Sequence, residues 1–212
     1  MIEIRKGQTP PPPPPPPTRS ADTGSEPGGA VPQAALSAAD HLLGNERANL
    51  TLLEYGDYEC PACIEAAPFV QQLVADFGLR MNFVFRHFPL FEVHPQAELA
   101  AEAAEAAAAQ GKFWAMHHLL FSQPHHLALH TLVAHAKAIG LDLIRFNAEM
   151  ADRIYTQRVQ EHRRAGEHSG VRTTPAFYLN GKPVDVSLGF EKLTEAIDVA
   201  LHAAPHTAHL RR

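Results

Sequence analysis

The chain has 212 residues, enough for one well-buried domain with room for a second, small layer of helices. It is 45% hydrophobic and 19% charged with a net charge of −5, and without a basic patch or Lys/Arg run it offers no surface suited to nucleic acid. No apolar run approaches the ~20 residues of a membrane helix, so no membrane span is expected.

Residues 1–35 read as a Pro-rich disordered tail. The opening MIEIRKGQTP has no apolar signal-peptide core, which predicts a cytoplasmic protein, or a periplasmic one if the start is mis-assigned or the chain is processed. Eight consecutive prolines, Pro10 to Pro17, form only an extended polyproline II rod of roughly 25 Å. The rod serves either as a stiff spacer or as a docking motif for a proline-binding domain of SH3-like or WW-like kind. The small, polar residues that follow cannot bury a core.

A folded domain is expected over residues 45–203. Residues 49–55, NLTLLEY, are short, mostly apolar and bounded by Gly56, as a buried strand is. Residues 61–78 carry apolar side chains at helical spacing up to Gly78. Residues 81–88 form a second strand ended by Pro89, and strand–helix–strand within forty residues implies a parallel pair with a right-handed crossover. From Pro95 the Ala-rich sequence reads as helix through residue 121, then again over 127–140 and 143–170, with breaks near Pro124 and Gly140. Strands return over 175–189 around an Asn180-Gly181 hairpin turn. A last helix over 190–203 precedes a frayed tail at 204–212. The fold class is therefore α/β, a βαβ half and a ββα half sharing one sheet, with an α-helical subdomain (about 94–170) inserted between them, as in a thioredoxin fold.

The chain holds two cysteines, Cys60 and Cys63. Two placed at random would sit three apart about one time in a hundred, so the spacing is itself a signal. Cys60 falls at the start of a helix, where four unpaired amides and the positive end of the helix dipole favour a thiolate. A free cysteine is only about 3% ionised at pH 7. Lowering its pKa to ~6 gives about 90%, for roughly 3.4 kcal/mol of differential stabilisation. Cys63, one turn further in, is expected to be buried and protonated. A structural disulfide would close too small a ring to restrain the unfolded chain. A zinc site would need His or carboxylate ligands that no motif places beside the pair. The expectation is a redox couple with no metal and no organic cofactor, only the Cys60–Cys63 disulfide.

Residues 52–68 (LLEYGDYECPACIEAAP), 87–121 (HFPLFEVHPQAELAAEAAEAAAAQGKFWAMHHLLF) and 169–184 (SGVRTTPAFYLNGKPV) together resemble the DsbA-like thioredoxin-fold oxidoreductases, in the bacterial branch with a helical insertion. The resemblance implies thiol–disulfide exchange with protein or small thiol substrates and recycling by a reductant or oxidant. It implies that Cys60 is the attacking thiol and Cys63 the resolving one. The Pro61-Ala62 dipeptide lies between them, facing substrate. Thr174 and Pro175 take the place of a cis-proline loop, whose backbone pairs with the substrate. Glu54 takes the place of a buried acid beneath the thiols and is expected to have a raised pKa and to accept the Cys63 proton; a strand-end glutamate reaching solvent is the alternative. Two features depart from many relatives: Ala62 offers no donor or charge, and Glu59 is negative beside Cys60 and tends to raise its pKa unless it points away. Both argue for a reductase or isomerase over a dedicated oxidant.

Of the histidines, His94 reads as a helix-start residue near the active face. His126 and His130 have an i, i+4 spacing that suits either a metal or a plain solvated surface. Phe113 and Trp114 read as the point where the insertion packs on the sheet. A redox-sensing binding module, recruited through the proline rod, is the alternative function.

Overall fold

The computed structural model describes residues 36, 37 and 40–203, so the expectations for the Pro-rich tail and for residues 204–212 lie outside the described residues. Five strands form one sheet: β1 (His41–Gly44), β2 (Thr51–Gly56), β3 (Asn82–His87), β4 (Ala176–Leu179) and β5 (Lys182–Val184), in the order β1-β3-β2-β4-β5. β2 and β3 run parallel, with α1 (Pro61–Phe77) joining them, and the other neighbours are antiparallel. Between β3 and β4 stand α2 (Ala97–Ala108), α3 (Phe113–Ser122), α4 (Leu129–Ala138), α5 (Leu143–Ala151) and α6 (Thr156–His168), and α7 (Glu191–Ala203) closes the described chain. This is the thioredoxin arrangement with a helical insertion.

The pleat divides each strand between two cores. Leu52, Phe83, Phe85, Phe177 and Leu179 join the larger one with residues of α1, of the inserted helices and of α7. Leu53, Tyr55, Val84 and Phe88 face the other side with Val171. There α6 comes close enough that a Cβ on Gly166 would sit 2.7 Å from the Phe88 ring and 3.0 Å from Tyr55. The Asn180-Gly181 turn is as expected, with both residues at positive φ (46° and 77°). Asn180 also pins the hairpin to β2, accepting from the Thr51 N–H at 2.8 Å and donating to the Asn49 carbonyl at 3.1 Å.

Three expectations are corrected. The sheet begins at His41, before the domain start expected at residue 45. The four residues of β1 show no pattern of their own and are fixed by pairing with β3, by the Trp114 indole N–H donated to the Leu42 carbonyl at 3.1 Å, and by His41 stacked on Phe113 at 3.6 Å. The helix expected over 95–121 starts at Ala97 and is interrupted between α2 and α3, where Gly111 takes φ 73°. The helix expected over 143–170 breaks between α5 and α6 at Arg153, whose φ is 51°. The buried carboxylate of Glu102 holds that bend by accepting from the Arg153 guanidinium at 2.6–2.9 Å.

Because Gly166 leaves no room for a methyl group, Gly166→Ala is expected to cost about 1–3 kcal/mol by overpacking. This is read as a lower urea midpoint at unchanged slope.

Candidate active site

β2 delivers the chain to the start of α1, and a short turn, residues 57–60, sets the geometry. The Cys60 N–H donates to the Asp57 carbonyl at 3.2 Å, and the Cys60 carbonyl accepts from Ile64 at 3.0 Å. Cys60 is the N-cap of α1 with extended φ/ψ (−74°, 122°), and Pro61, with no N–H to leave unpaired, occupies the first turn. Pro61 is exposed and Ala62 half-buried. α1 continues through Pro68.

Both cysteines are free thiols. Cys60 keeps 6% of its surface and Cys63 none, so only Cys60 can be reached from outside. The Cys60 Sγ faces the Thr174 carbonyl at 3.3 Å across a cis Thr174–Pro175 peptide bond. The Cys60 pKa is lowered to about 5, first by a hydrogen bond from the Cys63 thiol, then by the Thr174 side chain and the amides of Cys63 and Ala62, all against the opposing effect of burial. Burial, the proton given to Cys60 and the charge of Glu54 push Cys63 well up. The Asp57 N–H, which donates to the Cys63 Sγ at 3.4 Å, works the other way.

The expected sites therefore converge: Cys60, Cys63, Pro61, Ala62, Thr174 and Pro175 share one face. Glu54 lies under it, 2% exposed, in register with Phe85 and Phe177. Burial, and then the charge of Cys60, raise its pKa to about 8. Its Oε1 has no hydrogen-bond partner among the described residues. The alternative of a glutamate reaching solvent is ruled out by this burial. Glu54 lines a cavity of about 310 Å³ together with Ile64, Pro68, Trp114, His117 and His118.

Other expectations change. Glu59 does not press its charge on Cys60, because its carboxylate turns to accept from the Gln96 N–H at 2.8 Å. The Cys60 thiolate is accordingly more stable than the sequence suggested. His126 lies in the turn before α4 and His130 within α4, so they do not share a helical face for a metal. Among the described residues, the cluster with metal-ligand chemistry is His41, His87 and Glu105. There Glu105 Oε1 accepts from both imidazoles at 2.8 and 2.9 Å, while Oε2 pairs with Arg158 at 2.7 Å. That carboxylate is already matched by its neighbours.

Sequence reasoning missed Asp57. Its fully buried carboxylate accepts from the N–H groups of Glu59 (2.7 Å) and Leu90 (2.8 Å) and from His94 Nδ1 (2.8 Å). The available signal was an Asp three residues before a helix N-cap, a type of residue that satisfies loose amides in turns.

With that geometry in place, comparison with known proteins is consistent. Residues 36–199 match the family model described as "Thioredoxin", and the chain belongs to that family. The crystal structure of a thioredoxin-like oxidoreductase from Silicibacter pomeroyi DSS-3 superposes with a TM-score of 0.70 at 28% identity, covering 79% of this chain and 95% of that one. BdbD from Bacillus subtilis (0.66, 23%, covering 76% and 92%) and the thiol-disulfide exchange protein alpha-DsbA2 from Wolbachia pipientis (0.65, 23%, covering 77% and 88%) share the fold. The fold is thus that of DsbA-like proteins. Curated relatives include the Na(+)/H(+) antiporter NhaA 1 of Salinispora arenicola, 43% identical over 161 residues, which are 76% of this chain and 24% of that protein. Another is the antiporter NhaA of Herminiimonas arsenicoxydans, 35% identical over 161 residues, which are 76% of this chain and 25% of that protein. The chain spans about a quarter of the length of the curated relatives it matches.

The raised Glu54 pKa carries a stability consequence. A group whose folded pKa lies above its unfolded value contributes stability that is fully present below the unfolded value, near 4.5, and is lost as pH rises through about 8. Glu54→Gln removes that dependence. Between pH 5 and 9 the stability of the reduced variant is expected to gain on wild type by roughly 2–4 kcal/mol, measured by urea unfolding at each pH. A gap constant with pH contradicts the buried, neutral carboxyl.

Proposed function

We propose that the protein is a thiol–disulfide oxidoreductase acting on protein or small thiol substrates through Cys60 and Cys63. The reading is carried by one observation: Cys60, the partly accessible member of the pair, has its pKa lowered to about 5 while buried Cys63 keeps its proton. At neutral pH Cys60 is almost wholly thiolate, and attack on a disulfide requires the thiolate.

In the reducing direction the Cys60 thiolate attacks one sulfur of a substrate disulfide. A Cys60–substrate disulfide forms, and the second substrate sulfur leaves as a thiolate that takes a proton. Cys63 loses its proton and attacks Cys60 Sγ, closing the Cys60–Cys63 disulfide and releasing the first substrate sulfur as a thiolate. The substrate gains two electrons and the pair loses two. Oxidation of a dithiol is the reverse.

Glu54 takes up the Cys63 proton, directly or through water in the adjoining cavity. The timing follows from charge. While Cys60 is a thiolate, its charge helps keep the Glu54 proton in place. Once Cys60 enters a mixed disulfide, that charge is gone and the carboxyl ionises more readily, as the step requires. The backbone of Thr174, beside Cys60, is the element on which we place the extended substrate, with Pro61, Ala62 and Pro175 as its surroundings. The chemistry uses the two thiols alone, with no metal or organic cofactor, and a recycling reductant or oxidant resets the pair. A thiolate this stable favours the dithiol over the disulfide, which moves the balance toward substrate oxidation relative to the reductase that Ala62 and Glu59 suggested.

A second reading rests on the antiporter relatives, in which the matched region is about a quarter of the protein: the module senses redox state for a larger partner. The two readings differ in turnover. In dithiol-driven insulin reduction, an exchange enzyme passes many equivalents, whereas a sensor stops near one.

The expected result is multiple turnover by wild type, loss of at least about a hundredfold in Cys60→Ser, and trapped mixed disulfides in Cys63→Ser. Wild-type rates in both variants would overturn the proposal.

A further inference from the structure

We propose that Asp57 is a positioning residue for the resolving thiol, acting with His94, and that it sets how fast Cys63 closes on Cys60. The inference deepens the exchange reading above and rests on it.

Asp57 meets both sulfur-bearing residues through its backbone, its N–H donating to Cys63 Sγ at 3.4 Å and its carbonyl accepting from the Cys60 N–H at 3.2 Å. That N–H is well placed to stabilise Cys63 as a thiolate, the form that attacks the mixed disulfide. What holds the N–H there is the side chain. Oδ1 accepts from Glu59 N–H at 2.7 Å, fixing the turn. Oδ2 accepts from Leu90 N–H and His94 Nδ1, both at 2.8 Å, fixing the turn to the segment after β3. Glu59 makes a second tie to that segment, accepting from Gln96 N–H at 2.8 Å. A carboxylate is the side chain that fits, since an acceptor-only group meets three donors. Asparagine would turn an NH2 group toward at least one of them.

Cys60 depends on this clamp less directly, through its N–H on the Asp57 carbonyl, because its thiolate is held chiefly by the Cys63 thiol, with the Thr174 side chain and the Cys63 and Ala62 amides. Damage to the Asp57 clamp should therefore slow resolution and spare attack. His94, with 17% of its side chain exposed, provides a milder lesion than the buried Asp57.

One equivalent of an aromatic disulfide, 5,5′-dithiobis(2-nitrobenzoate), tests this on the full chain. Cys60 attack releases one coloured thiolate and leaves the other half on Cys60. Cys63 attack then releases the second and forms the Cys60–Cys63 disulfide. The expected result is a second release slowed at least about fivefold in Asp57→Ala, with Asp57→Asn and His94→Ala between it and wild type. The first release should stay within about twofold of wild type. The pH profile of the second release, set by Cys63 with Glu54 beneath it and the Asp57–His94 pair beside it, Cys60 being uncharged in the mixed disulfide, should move upward in Asp57→Ala. A wild-type second phase in Asp57→Ala and His94→Ala, or equal slowing of both phases, overturns the role of Asp57 and leaves exchange intact. Absence of both releases in wild type overturns exchange and this role together.

Discussion

One hydrogen bond governs the site: the Cys63 thiol shares its proton with the Cys60 sulfur at the opening of α1. It is the largest influence lowering Cys60 and, read from the other side, it raises Cys63. One interaction thus makes two chemically similar residues different, one readily ionised and the other holding its proton. The fold's part is to set up that inequality. A parallel β2–β3 pair forces a helical crossover. The crossover helix starts where β2 ends, and the N-cap position leaves amides free toward Cys60 while the next turn carries Cys63 into the core.

Glu54 extends the same economy of charge one layer down. Strand alternation puts it between Phe85 and Phe177 and on the side of the larger core, where an ionised carboxylate is poorly solvated. Two anions close together in this setting are costly, so in the exchange proposed above Cys60 and Glu54 hold negative charge at different stages. The groups are coupled through charge.

Much of this is legible in the sequence because the relevant signals are local. The C-x-x-C spacing, the apolar strand before it, the helical periodicity after it and the Asn-Gly turn each occupy a few consecutive residues. What escaped is long-range. β1 exists through pairing with residues some forty positions away and through the Trp114 indole. The bend at Arg153 depends on Glu102, 51 residues earlier, and the Asp57 clamp reaches 33 and 37 residues forward to Leu90 and His94. The Glu59 charge was judged by its sequence neighbour Cys60, yet its direction is set by the amide of Gln96. His94 was placed near the active face, but the group it serves could not be named without the Leu90–His94 turn.

The central claim is that one thiol ionises far more easily than a free cysteine and the other far less. Thiolate absorbance of the reduced wild-type protein, followed across pH with site assignment by alkylation and mass spectrometry, tests it directly. The account predicts one thiolate appearing around pH 5, on Cys60, and no second one until well above the ordinary cysteine range near 8.5. Two thiolates appearing together near 8.5, or the first one assigned to Cys63, would contradict it.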